Sequence, residues 1–139
     1  MNILITSGGT SEKIDQVRSI TNHSTGQLGK IISERFLEAG YSVTLVTTQT
    51  AVQPKEHPRL RKIFIKNVAE LQTVLEKETP THHVLIHAMA VSDYSPVYMS
   101  GFQAVKEASN LEQFLHQTNQ ESKISSEEDY QVLFLKKNP

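Results

Sequence analysis

Four of the chain's six glycines stand between Gly8 and Gly29, inside the run Ile5 to Gly29, ITSGGTSEKIDQVRSITNHSTGQLG. The run begins where a short apolar stretch, Asn2 to Thr6, stops at glycine, and it closes on an amphipathic segment. A glycine-rich turn after a strand, followed by a helix start, offers backbone N–H groups and a positive helix end to an anion, most commonly a phosphate. Arg18, Asn22, His23 and Ser24 add polar side chains between the glycines. Gly8-Gly9 taken alone reads equally as a tight turn. The second cluster, Asn-His-Ser-Thr-Gly-Gln-Leu-Gly, is what turns the reading towards a ligand site.

The remaining periodicities place this run in an α/β chain. Leu28, Ile31, Ile32, Phe36 and Ala39 recur at helical spacing from Gln27 to Ala39, and Gly40 stands at the C-terminal cap position. Tyr41 to Thr48 and Arg61 to Lys66 read as strands. Asn67, with Glu70 three residues on, reads as the start of a helix that carries Val68, Leu71, Val74 and Leu75 and ends at Thr79-Pro80. Val84 to Ala90 is a fourth strand. Alternating strands and helices, with continuous apolar strands, predict a three-layer α/β fold around a Rossmann-like, mainly parallel sheet covered on both faces. Ligands of such sheets sit beyond the carboxyl ends of the strands, where both Gly8-Gly9 and Ala90 to Tyr94 fall. Beyond Tyr94 the pattern weakens: Ser95 to Gly101 reads as loop, Gln103 to Gln117 as a helix, Thr118 to Asp129 as a polar and mobile segment, and Tyr130 to Leu135 as a last strand. The expectation is one domain over 1–139, with 95–129 as an insertion or flap.

Two common phosphate motifs are absent. G-x-G-x-x-G does not follow the first strand, and Thr47-Thr48 closes the second strand where an acid would meet a ribose. No G-K-S/T tripeptide occurs. The net charge of −1 gives no general attraction to nucleic acid or to a membrane surface, and no run of 18 apolar residues is present. There is no cysteine, hence no disulfide and no thiolate chemistry. With no signal-peptide pattern at MNILITSGG, the expected location is the cytoplasm. His83 and His87 would lie about 13 Å apart along a strand at ~3.3 Å per residue, too far for one ion, and no metal ligand set is assigned.

At residue level, G-G-T-S-E-K-I-D-x-V-R-x-I-x-N-H-S-T-G-x-L-G closely resembles the signature of the phosphopantothenate–cysteine ligase (phosphopantothenoylcysteine synthetase) family. Ala90-Val91-Ser92-Asp93-Tyr94 resembles a second block of that family, and Lys123-Ile124-Ser125-Ser126 a third. The resemblance implies an enzyme of coenzyme A synthesis. The carboxylate of 4′-phosphopantothenate attacks the α-phosphate of a nucleotide, CTP or ATP, with Mg2+. Pyrophosphate leaves, and the amine of cysteine then takes the acyl group. By the same resemblance Gly8, Ser24, Gly26 and Gly29 line the nucleotide site, and Asn22 holds the acyl carbonyl or the pantothenate amide. Ala90 and Asp93 line the phosphopantothenate side. Arg18 reaches the neighbouring site of a homodimer, and Lys123 neutralises the triphosphate from a segment able to close as a lid.

Met89 departs from the family's pattern, which often has alanine there, and the family continues past the point where this chain ends, so the chain is expected to be an N-terminal portion. The competing reading is an NAD(P)- or nucleotide-binding Rossmann-like domain with an oxidoreductase or regulatory role. A non-catalytic interaction domain is the third. For Arg18, a salt bridge with Asp15 or Glu12 competes with a role in the site.

Overall fold

The computed structural model describes residues 1–119 and 127–139. Contacts group the chain into two compact units: Met1–Ser11 with Thr21–Ser92, and Glu12–Ile20 with Asp93–Pro139.

The first unit is a three-layer α/β structure. Its four parallel strands are β1 (Asn2–Gly9), β4 (Ser42–Thr47), β5 (Leu60–Phe64) and β6 (Val84–Ala90), in the order β5-β4-β1-β6. Ile3 stands beside Val43 on one side and Val84 on the other, which sets the register of the sheet centre. Helix α1 (Gln27–Glu38) covers one face, where Ile32, Phe36 and Leu37 pack against Ile3, Ile5, Val43 and Leu45. Helix α2 (Val68–Glu78) covers the other, where Leu71, Val74 and Leu75 pack against Leu4, Val46 and Ile65. Ile3, Leu4, Ile5, Leu45 and Val46 are fully buried. Each such side chain contributes about 1.5–3 kcal/mol over its exposed state.

Local chemistry sets the helix ends. Asn67 Oδ1 accepts from the Glu70 N–H at 2.9 Å, and Glu70 Oε2 accepts from the Lys66 N–H at 2.8 Å, a capping box shifted by one residue at its far end. At the end of α1, Gly40 adopts φ +94°. Its N–H donates to the Leu37 carbonyl and that of Tyr41 to the Phe36 carbonyl, with the Phe36 and Tyr41 rings edge-to-face at 5.8 Å. This is a Schellman motif with its apolar contact.

Two expectations are corrected here. The helical stripe predicted Leu28, Ile31 and Ala39 at the core. All three are exposed, and Gly29, Ser33 and Leu37 are the buried line of α1. Small residues at i and i+4 let the helix backbone approach the sheet, so contact distance rather than hydrophobicity selects the face. Val84 and Leu85 are 38 % and 47 % exposed despite lying in a continuous apolar run; among the described residues β6 is the outermost strand of the sheet.

In the second unit, β7 (Tyr94–Gly101) pairs antiparallel with β8 (Gln131–Lys137), with an irregularity between Pro96 and Tyr98. Ser95 to Gly101 is therefore strand, not loop. The predicted helix over Gln103–Gln117 is two pieces, α3 (Phe102–Glu107) and a 3-10 helix over Leu111–His116. The backbone turns extended at Ala108, and Asn110 Oδ1 starts the second piece by accepting from the Glu112 N–H. Tyr98, Phe114 and Phe134 stack, with centroids 6.1 and 5.3 Å apart across Phe114. The Asn119 side-chain amide bonds both the N–H and the carbonyl of Met99. The short strands β2 (Ser11–Lys13) and β3 (Ser19–Thr21) form a hairpin in the run between the two glycine clusters.

Candidate active site

The carboxyl ends of β1 and β6 and the start of α1 gather most of the sequence-predicted residues of the first unit. Gly26 is the N-cap of α1 at φ +80° and brings no side chain of its own, while Thr25 Oγ1 accepts from the Gln27 N–H at 3.2 Å. A Cβ at Gly26 would stand 2.8 Å from that of Ala51, and one at Gly29 would overlap the Ser7 side chain. Ser7 Oγ in turn donates to the Gly26 carbonyl at 3.1 Å. The two glycines thus let the helix start lie directly on the end of β1. The loop after β4 closes the other side: the Val52 N–H donates to the Thr25 carbonyl, and Gln53 Nε2 donates to the carbonyls of Thr48 and Ala51. Gln53 Oε1 is buried with no hydrogen-bond partner among the described residues.

Ser24 and His23 are exposed at the mouth of this helix start, and Gly8 is buried beside Thr48. The Asn22 backbone crosses Gly9 so closely that a Cβ there would overlap the Asn22 carbonyl. Ala90 ends β6, its carbonyl accepting from the Thr10 N–H at 3.0 Å. Thr10 and Ser92 were not singled out by the sequence reading, yet both are buried and join these loops. The only sequence signal for them was membership of the two signature blocks. Met89, the departure from the family's pattern, packs half-buried against the α2-side core.

Arg18 and Asp93 belong to the second unit. Arg18 Nε lies 3.7 Å from Asp15 Oδ2, and Asp15 Oδ1 accepts the N–H groups of Val17 and Arg18, which builds the turn of the β2–β3 hairpin. The ion pair weighed against a site role for Arg18 is therefore present. Asp93 is exposed, and its carbonyl accepts from the Asn138 N–H at 2.8 Å. Lys123, with its Lys-Ile-Ser-Ser block, lies outside the described residues.

The histidines have local partners. His82 Nδ1 donates to the Glu78 carbonyl at 2.6 Å, and its Nε2 is 2.8 Å from Thr44 Oγ1. His83 Nδ1 accepts from the Asn2 N–H, and His87 Nδ1 lies 2.7 Å from Thr6 Oγ1. A cavity of about 350 Å³ opens at the opposite, amino-terminal edge of the sheet, lined in part by Thr44, Arg59, Arg61 and His82. Arg61 there is taken up by the Glu78 carboxylate and Arg59 by the Leu37 carbonyl. The residues lining this cavity include neither a helix start nor a glycine.

Known proteins share this fold. Over its full length the chain matches a Streptococcus pneumoniae structure described as a DNA/pantothenate metabolism flavoprotein, with 56 % identity and a TM-score of 0.95, covering 61 % of that chain. A structure of the C-terminal domain of the coenzyme A biosynthesis bifunctional protein CoaBC aligns with 70 % of this chain at 35 % identity and a TM-score of 0.63, covering 48 % of that chain. The Vibrio vulnificus (strain YJ016) CoaBC protein is 34 % identical over 95 residues, which is 68 % of this chain and 23 % of that protein. The chain thus spans about a quarter of the length of such curated relatives. Residues 1–138 match the model of the DNA/pantothenate metabolism flavoprotein C-terminal domain, and the chain belongs to that family.

Proposed function

We propose that the chain carries the nucleotide-binding part of a phosphopantothenate–cysteine ligase of coenzyme A biosynthesis. The observation that carries the reading is the glycine-lined start of α1 laid on the end of β1. Such a start presents first-turn backbone donors and the positive end of a helix dipole to a triphosphate.

The nucleotide, CTP in the first instance and ATP in the second, would place its phosphates over Gly26 and Gly29, with Ser24 donating from the helix mouth and Gly8 leaving room beside the phosphates. Magnesium bound with the triphosphate supplies charge neutralisation. Asn22 would donate its side-chain amide to the carbonyl oxygen of 4′-phosphopantothenate as negative charge develops there. Ala90 would line the pantothenate side. The substrate carboxylate attacks the α-phosphorus, the bond to the β-phosphate bridging oxygen breaks, and pyrophosphate departs. The cysteine amine then attacks the acyl carbon, loses a proton and expels the nucleoside monophosphate. Arg18 would serve the neighbouring site in a homodimer.

Thermal-shift titration with CTP, ATP, NAD and NADP, each with magnesium, tests the binding part. A shift with CTP or ATP and none with the dinucleotides is expected. A shift with NAD or NADP alone would replace this reading by the oxidoreductase one. Pyrophosphate release in the presence of 4′-phosphopantothenate and cysteine tests the reaction. With Asn22→Ala the turnover should fall by ~10²–10³, as on losing one donor to a developing oxyanion, with the KM for CTP unchanged. Unchanged turnover would remove Asn22 from the reaction.

A further inference from the structure

We infer that Thr10 is a positioning residue that holds the Asn22 loop and the Ala90–Ser92 turn in one fixed relation. The inference rests on the ligase reading for what the two loops bind, but not for the clamp itself.

Thr10 is fully buried just past β1 and uses every polar atom. Its N–H donates to the Ala90 carbonyl at 3.0 Å, and its carbonyl accepts from the Asn22 N–H at 3.0 Å. Its Oγ1 accepts from the Ser92 N–H at 2.8 Å and lies 2.7 Å from Ser92 Oγ. Ser92 Oγ is also within 3.4 Å of the Thr10 carbonyl. One arrangement of protons satisfies the set: Ser92 N–H to Thr10 Oγ1, Thr10 O–H to Ser92 Oγ, Ser92 O–H to the Thr10 carbonyl. That carbonyl, with two lone pairs, also takes the Asn22 N–H.

Thr10 therefore ties Asn22 through its main chain and Ser92 through its side chain. Closed networks of this kind in a dry setting are rigid, and loss of one hydroxyl leaves a buried N–H without an acceptor. A plain buried threonine needs one bond to be satisfied. Here the hydroxyl bridges residues 82 positions apart whose neighbours carry the substrate-side assignments.

Thr10→Val keeps the shape and removes the hydroxyl, and Thr10→Ser keeps the hydroxyl. Amide hydrogen exchange in Thr10→Val should rise at least ~10-fold at Ser92, the effect of losing a buried hydrogen bond. It should stay unchanged at Asn22, whose bond is to main chain, and in β1 and β4. Binding of 4′-phosphopantothenate should weaken ~10-fold, since a substrate pinned between two loops loses one fixed wall, while CTP affinity at the α1 start stays within ~2-fold. Thr10→Ser should restore both.

Unchanged exchange at Ser92 would overturn the clamp, as would a rise spread equally over β1 and β4, or failure of Thr10→Ser to restore protection. Equal loss of both ligands would overturn the positioning role. If the unsubstituted protein binds neither ligand, the ligase reading falls and the exchange data still decide the clamp.

Discussion

At the scale of single residues, the glycines were readable in kind and the side chains that hold them were not. Gly26 and Gly29 announce a helix start open to an anion, but only the position of Ser7 under Gly29 shows why no larger residue fits there. In Gly29→Ala, helix propensity favours alanine by about 1 kcal/mol. The overlap with a buried Ser7 opposes it, and overpacking a tight contact costs about 1–3 kcal/mol. The overlap should win, because Ser7 is fixed by its bond to the Gly26 carbonyl. Urea unfolding should show a lower midpoint for Gly29→Ala, and a raised midpoint would show that α1 can shift freely. Gly40→Ala separates strain from crowding. A Cβ there meets nothing, yet φ is +94°, so a loss of about 1–2 kcal/mol from the left-handed backbone alone is expected by the same measurement.

At the scale of elements, helix-cap signals were reliable and those that depend on a distant partner were not. The Asn67–Glu70 cap was legible from spacing and is present. Asn67→Ala should cost about 1 kcal/mol in urea unfolding. The far end of α2 carries a feature no pattern announced. Glu78 is buried, and Arg61 holds its carboxyl below the ordinary value of 4.5, first through their hydrogen bonds and then through charge, with His82 and Lys77 adding to the attraction. A depressed folded value means that the pair's stabilisation is complete above the unfolded value and is lost as pH falls through the folded one. Glu78→Gln should therefore lower stability at pH 7 by about 1–2 kcal/mol, the low range for a charged hydrogen bond because Arg61 is half exposed. The gap to the unsubstituted protein should close as pH drops below 4.5. A gap that stays constant down to pH 3 would show that charge is not what holds the helix end. The same limit explains β7: Ser95 to Gly101 reads as loop because its stabilising partner, Gln131 to Lys137, lies far along the chain.

At the scale of the whole molecule, each unit has its own apolar centre. Phe114 is 5 % exposed between Tyr98 and Phe134, whereas Leu45 is fully buried in the parallel sheet. Phe114→Ala should cost about 3–5 kcal/mol and raise hydrogen exchange in β7 and β8 while leaving β1 and β4 protected; equal loss of protection in all four strands would show one cooperative unit instead. By itself the sequence determined the order of the four sheet strands and two helices to Ala90, without the β2–β3 hairpin, the end of the sheet where the glycines collect, and the family that its signature blocks resemble. Those follow from side-chain periodicity, backbone freedom at glycine and capping chemistry, all of which act over a few residues. Tertiary structure alone decided that Gly29, Ser33 and Leu37 face the sheet in place of Leu28 and Ile31, that β6 pairs with β1, and that Thr10 meets Ser92. These depend on how closely two backbones approach and on which buried donor finds which acceptor. Residues 82 apart in the chain carry no local sign of that.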